Sequence, residues 1–247
     1  MSAPAISISP SPWAHRLKDF PLGLPEACLW LALFFLLTPY LGALLLGLGL
    51  QPPQRLPIET RVLAQSLLTL IFMAYFAGFR RGKPVDLGLG LARPHIEIAW
   101  GLAACAVMGL VYLAGLGAAW LGFLWWFGSA DKLAAWVRSS PISHESSAYV
   151  LSVCLAIPVL EEIWFRGLMY PPMRLNLGRW PAIVFLSAIF AAAHDTSLPV
   201  TQFIGGLVFA WAYEKRQSLI APIILHIAGN SVLVVIGWAM QQGILRL

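Results

Sequence analysis

Charge is what this sequence has least of. Asp, Glu, Lys and Arg together supply 11% of its 247 residues, against about 25% in ordinary globular domains. Hydrophobic residues make up 59% and the mean hydropathy is +0.77, so too little polar surface exists to cover a soluble core of this length. A soluble enzyme or binding domain is excluded, and the composition indicates an all-α, polytopic transmembrane helical bundle. Cysteine is also scarce. Cys28, Cys105 and Cys154 each lie inside an apolar run, without the spacing of a metal site or a disulfide framework, and read as small core hydrophobes. No HExxH zinc signature occurs. The glycines of "DLGLGLARP" (86–94) have no preceding strand and no following Lys-Ser/Thr, which excludes a nucleotide loop.

The opening stretch, "MSAPAISISPSPWAHRLKDFPLGLPE", has no early apolar core, so no cleavable signal peptide is expected. Its "WAHRLKDF" reads either as an interfacial amphipathic segment or as a solvated tail. The net charge of +5 does not point to nucleic acid, because the basic residues cluster in short loops between apolar runs. There they set topology and meet anionic lipid headgroups. No internal repeat is visible.

What the chain does have is long apolar runs. A span needs about 17–25 residues, and seven runs approach or meet that: 27–50 (with Pro39 as an expected kink), 62–79, 98–121, 148–170, 180–197, 198–213 and 219–243. The number is about seven, within six to eight. The fifth and sixth runs are short and divided by little more than "HDTSLP". "WLGFLWWF" (120–127) extends the third as an aromatic belt or a reentrant piece. Residues 1–26 read as a polar or amphipathic segment and 27–247 as a single transmembrane domain. With the N-terminus inside, eleven basic residues (Arg16, Lys18, Arg80, Arg81, Lys83, Arg93, Arg166, Arg174, Arg179, Lys215, Arg216) fall on the inner side. Five (Arg55, Arg61, Lys132, Arg138, Arg246) fall outside. A cytoplasmic N-terminus in the plasma (inner) membrane of a prokaryote is therefore expected.

Few ionisable groups interrupt these runs: Glu161, Glu162 and Arg166 in the fourth, His194 in the fifth, and His226 with the amide Asn230 in the seventh. His15, His95 and His144 fall in expected loops. Ionisable side chains within a membrane are costly and by default mark a site. Glu162 and Arg166 stand four residues apart, spaced for an ion pair. Glu161 projects about 100° away around the helix, toward a different environment and outside that pair. Phe190 and His194 repeat the four-residue spacing, which sets an aromatic ring beside the imidazole. His226 and Asn230 repeat it again, presenting two hydrogen-bonding side chains to one point. The pair alone reads as a helix-end support and either histidine alone as an interhelical hydrogen bond, but the set together points to a site. Ser187 and Ser231 are read as structural.

"EEIWFR" (161–166), "FAAAH" (190–194) and "HIAGN" (226–230) occur in this order on hydrophobic runs. They resemble the EExxxR, FxxxH and HxxxN motifs of the CAAX-processing and bacteriocin-processing endopeptidase family, which includes the type II CAAX prenyl endopeptidases. The resemblance covers about residues 145–235. The first 140 residues carry no family signal beyond a hydrophobic pattern. It implies an intramembrane protease of the glutamate type with no nucleophilic side chain. Glu161 is implied as the general base on water with His194 assisting, His226 and Asn230 as donors to the oxyanion, and Glu162 with Arg166 as the pair that fixes the helix, Phe190 supporting. No cofactor and no metal are implied. A carboxylate stripped of water is a better proton acceptor than a hydrated one, which agrees with this chemistry.

Other readings of the same residues stay open. Glu161, His194 and His226 could hold zinc in a membrane protease, and a non-catalytic peptide-binding or immunity membrane protein could keep part of the set. Transport or proton relay is a further class, weakened because the polar groups are confined to the C-terminal half and no inverted repeat is visible. The expected partners are the lipid bilayer and a membrane-associated protein or peptide, with no role for nucleic acid. A prenylated CAAX end, a bacteriocin-type leader and a sorting tail all suit the pattern.

Overall fold

The structure, a computed structural model, describes residues 17–53, 56–90, 93–127, 147–194 and 200–242. Seven helices and no strand are found among these residues. They are α1 (Leu24–Leu45), α2 (Ile58–Gly78), α3 (Pro94–Phe127), α4 (Ser147–Leu177), α5 (Arg179–Ala192), α6 (Val200–Arg216) and α7 (Ile220–Gln241). A single 3-10 turn, Pro84–Leu87, lies between α2 and α3.

Local chemistry sets most of the boundaries. α1 carries proline in its first turn and Pro39 in its interior, and it stops short of the expected residue 50. Gly47 and Gly49 take φ of 73° and 65°, a left-handed conformation that closes a helix and favours glycine. Gly178, at φ 83° and ψ 178°, separates α4 from α5. α3 runs unbroken for 34 residues, so "WLGFLWWF" continues the helix instead of forming a reentrant piece. His95 lies in the first turn of α3 and not in a loop. His15, His144 and nearly all of "HDTSLP" fall outside the described residues. At the end of the N-terminal stretch, Leu17 and Leu22 are buried in the core.

The chain is an integral membrane protein. Among the described residues, four helices are long and apolar enough to cross a membrane: α1, α2, the Pro94–Val111 part of α3, and α4. α5, at 14 residues, is shorter than the fifth run suggests. At 1.5 Å per residue it measures about 21 Å, less than a hydrocarbon core of about 30 Å. It packs along α6, whose 17 residues include the last-turn pair Lys215 and Arg216. Large apolar side chains such as Leu36, Leu70, Leu102, Leu110 and Val235 point outward, as a lipid-facing surface requires.

The core that positions the site is an aromatic layer shared by α1, α2 and α4. The Trp164 ring stacks on Phe34 at 4.4 Å and lies 5.0 Å from Phe72. Its indole N–H donates to Thr69 Oγ1 at 2.8 Å, so this large buried side chain has no unsatisfied donor. A second layer joins α6 and α7, where Phe209, Ala212 and Leu225 pack against Trp100 and Met108 of α3. The loop after α2 is tied beneath both layers: Tyr213 donates to the Leu87 carbonyl at 3.1 Å, and the Leu219 amide donates to Gly88 at 2.9 Å. α4 itself is widened twice into π-helical register, over Ser152–Ala156 and Ile163–Met169, on either side of the adjacent glutamates. Such widened turns are rare and cluster at functional sites.

Gly206 tests the closeness of the α5–α6 contact. A Cβ there would sit 3.0 Å from both Cα and Cβ of Ser187. Gly206→Val should therefore lower stability by about 1–3 kcal/mol, the usual cost of overpacking. Gly205→Ala, whose new methyl meets only the edge of the Phe209 ring at 3.4 Å, should leave the thermal midpoint in detergent nearly unchanged.

Candidate functional site

α4 contributes two carboxylates and one guanidinium. Glu162 and Arg166 have no solvent exposure, and Arg166 Nη1 donates to Glu162 Oε1 at 2.8 Å. A second guanidinium nitrogen donates to the Gly206 carbonyl of α6 at 3.2 Å. The guanidinium carbon lies over the Phe190 ring at 4.6 Å and the Phe209 ring at 5.2 Å. A cation gains from such ring faces most strongly where water is excluded. Glu162 and Arg166 thus form a buried, hydrogen-bonded pair inside an aromatic box.

α7 brings His226 onto the same carboxylate. Its Nδ1 lies 2.8 Å from Glu162 Oε1, and its ring stacks on Phe209 at 4.6 Å and 21°. A carboxylate accepts, so Nδ1 carries the hydrogen and Nε2 is left to face away from Glu162. It faces Glu161, whose Oε2 is 3.6 Å from His226 Nε2. Helical spacing alone sends Glu161 to an environment separate from Glu162. In the structure the two side chains meet one imidazole, because a ring with a nitrogen on each edge bridges the angle between adjacent residues.

α5 supplies the third wall. His194 Nδ1 lies 2.7 Å from the Phe190 carbonyl, which can only accept. Its Nε2 therefore stands free, 3.9 Å from Glu161 Oε1. The Phe190 ring lies 4.7 Å from the His194 ring and 5.7 Å from the His226 ring, so it holds both. Glu161 keeps 15% side-chain exposure, and its Oε2 has no hydrogen-bond partner. Beside the more exposed His194, the cluster thus holds a carboxylate flanked by two imidazole Nε2 atoms.

Asn230 departs from the expectation drawn from spacing. Its side-chain nitrogen donates to the Val153 carbonyl of α4 at 2.9 Å, so one of its two N–H groups is committed to main chain and does not join His226 at one point. The contacts of Gly206, Phe209 and Val153 were not legible in the sequence. The Gly205-Gly206 pair signals close packing only, a phenylalanine in an apolar run signals nothing, and a carbonyl has no residue type. The zinc set weighed above, Glu161, His194 and His226, does come together. Among the described residues, however, no group of three or more His, Cys, Asp or Glu is arranged to hold a metal ion. A shallow apolar hollow of about 370 Å³, lined by Leu31, Phe35, Met169, Ile189 and Ala193 among others, ends one residue from His194.

Removing Arg166 would leave Glu162 buried and uncompensated. Arg166→Ala is expected to cost roughly 3–5 kcal/mol, the usual penalty for breaking a buried pair from one side. It should be read as a lowered thermal midpoint and a lower yield of folded protein. An Arg166→Ala protein that is inactive yet as stable as wild type would move the arginine from support into chemistry.

Comparison with known proteins finds likenesses over the stretch that holds this site. The model for "Type II CAAX prenyl endopeptidase Rce1-like" matches residues 143–232, which contain all three motifs. The membrane-embedded CAAX protease MroQ of Staphylococcus aureus is 27% identical over 114 residues, covering 43% of this chain and 44% of that protein. The chain thus aligns with less than half the length of that relative. No solved structure matches. The matched stretch takes in α4 through the site-bearing half of α7, every element that contributes a carboxylate, imidazole or guanidinium to the cluster. Over this stretch the chain is similar to type II CAAX prenyl endopeptidase-like membrane proteins.

Proposed function

We propose that the protein is an intramembrane endopeptidase that hydrolyses a peptide bond of a membrane-associated protein or peptide with an activated water. The observation that carries this reading is Glu161, a carboxylate with an unpartnered oxygen and an imidazole Nε2 within 3.9 Å on each side. Water bound there would lie between a proton acceptor and two rings whose tautomers are set from behind, His194 by the Phe190 carbonyl and His226 by Glu162. Glu161 takes a proton from the water, and the hydroxide oxygen bonds to the scissile carbonyl carbon. His194 Nε2 accepts the water's second hydrogen and holds it in line. When the C–N bond breaks, the proton on Glu161 passes to the departing amine.

The developing oxyanion needs donors. His226 offers Nε2–H when its ring has taken a second proton from bulk water before the attack, with its Nδ1–H still donated to Glu162 at 2.8 Å. Asn230 offers its second N–H. Two such donors in a dry site stabilise a tetrahedral intermediate far more than they would in water. With the imidazolium formed, two carboxylates face one guanidinium and one imidazolium, and the site is neutral overall. The apolar hollow beside His194 suits a substrate that arrives from lipid with an apolar segment. MroQ is described as a CAAX protease, and a CAAX-type C-terminal substrate is the class proposed here. We further propose that the N-terminus faces the cytosol, from the excess of Lys and Arg in the loops of that side.

Two measurements test this. Glu161→Gln is nearly isosteric and removes the base. It should lose about 10²–10⁴ in turnover and leave the thermal midpoint close to wild type; wild-type turnover would sink the assignment. The second measurement separates water activation by Glu161 from zinc held by Glu161, His194 and His226. The purified enzyme should survive prolonged chelation. Stoichiometric zinc, lost together with activity and restored on adding it back, would overturn the metal-free mechanism.

A further inference from the structure

We propose that Pro158 and the widened turn before it form a positioning device that aims Asn230, a role that rests on the reading of Asn230 as an oxyanion donor. The argument concerns one backbone carbonyl. In the π-helical segment Ser152–Ala156 the amide of Ile157 bonds to the Ser152 carbonyl, five residues back. In ordinary α register that amide would serve Val153. In continued π register the amide of residue 158 would serve Val153, but residue 158 is proline and has no N–H. With the Ile157 amide taken by Ser152 and no amide at residue 158, Val153 receives a main-chain donor from neither. Pro158 is buried and Val153 half-buried, in a segment with little access to water. A carbonyl left bare in such surroundings is costly, so a partner must come from elsewhere.

That partner is Asn230, whose Nδ2 lies 2.9 Å from the Val153 oxygen. Because the carbonyl only accepts, the contact identifies the nitrogen end of the amide and fixes its flip. The amide is planar. With its Cα held by α7 and one N–H held by Val153, the direction of the second N–H is set without any contact to substrate. His226 lies one turn earlier on α7, anchored through Nδ1 by Glu162 in the same way that Asn230 is anchored by Val153. Each donor is thus tethered at its back to α4, and the two tethers lie on either side of Glu161. Pro158 and Val153 touch no reacting atom; they act through Asn230.

The test is a double-mutant cycle on the full chain in detergent, with Asn230→Ala, Pro158→Ala and both. Pro158→Ala restores an N–H that can satisfy Val153 in place of Asn230. Its thermal midpoint should be no lower than wild type. Asn230→Ala should lower the midpoint in the wild-type background and leave it unchanged in the Pro158→Ala background. Turnover of a farnesylated CAAX reporter peptide is the second readout. Asn230→Ala alone should lose about 10²–10³ in kcat as an oxyanion donor. Pro158→Ala should lose about tenfold or more without exceeding that loss, with KM unchanged, and adding Asn230→Ala should bring the double variant only to the level of Asn230→Ala alone. Equal midpoint losses from Asn230→Ala in both backgrounds, or wild-type kcat in Pro158→Ala, would overturn the proposal. A Pro158→Ala loss greater than that of Asn230→Ala would also overturn it, since the helix itself would have changed register. If Asn230→Ala leaves kcat intact, or wild type leaves the reporter uncut, the functional reading fails while the midpoint cycle still decides the role of Pro158.

Discussion

A carboxylate with no solvent exposure inside a lipid-embedded bundle must be neutralised where it stands, and Glu162 meets that demand through one oxygen that receives both Arg166 and His226. The geometry of the site follows from this. Arg166 comes from the same helix one turn on, so its approach is built into α4. His226 comes from α7, so the carboxylate fixes that helix in depth and rotation. The remaining reach of Arg166 ends on the Gly206 carbonyl, which draws in α6, and α6 can lie this close to Ser187 of α5 only because residue 206 has no side chain. One buried charge therefore couples four helices, and shifting any of them exposes or strands it.

The aromatic residues make that coupling tolerable. Phe190 and Phe209 cover the guanidinium and at the same time bear on the imidazoles, Phe209 by stacking on His226 and Phe190 by its tilted contacts with His194 and His226. Rings in these positions keep water from the ion pair, which strengthens it, and restrict the rotation of the histidines. Each imidazole is then held by one nitrogen and leaves the other directed at Glu161. The contrast between the two neighbouring glutamates is a matter of surroundings: Glu162 is fully enclosed and accepts from Arg166 and His226 through Oε1, whereas Glu161 keeps limited exposure and has its nearest nitrogens 3.6 and 3.9 Å away.

The backbone of α4 is irregular where the side chains are most constrained. Two widened turns flank Glu161 and Glu162, and Pro158, Pro171 and Pro172 remove amides that would otherwise complete the ladder. Each irregularity leaves carbonyls that other elements must satisfy, and the Val153–Asn230 contact shows one such debt met by a residue of the motif set. The aromatic layer at Trp164, hydrogen-bonded to Thr69, anchors the helix on its other face and lets these departures persist.

What the sequence alone determined is what depends on neighbours along the chain. Low charge and long apolar runs established a helical membrane protein. Four-residue spacing placed Arg166 beside Glu162 and Phe190 beside His194, and the order of the three motifs carried the family resemblance. The end of α1 was overestimated where apolar composition ran past the helix, at 46–50, and the end of α4 was underestimated, since the helix continues to Leu177 beyond the apolar run that stops at 170. The tertiary structure alone decided that Glu161 and Glu162 meet the same imidazole, that Phe209 and Gly206 complete the Arg166 enclosure, and that Asn230 spends one N–H on Val153. These contacts join residues separated by 40 to 77 positions along the chain. They depend on the rotation and depth of whole helices, which interhelical packing and the widened turns of α4 set and no local pattern of residue types records.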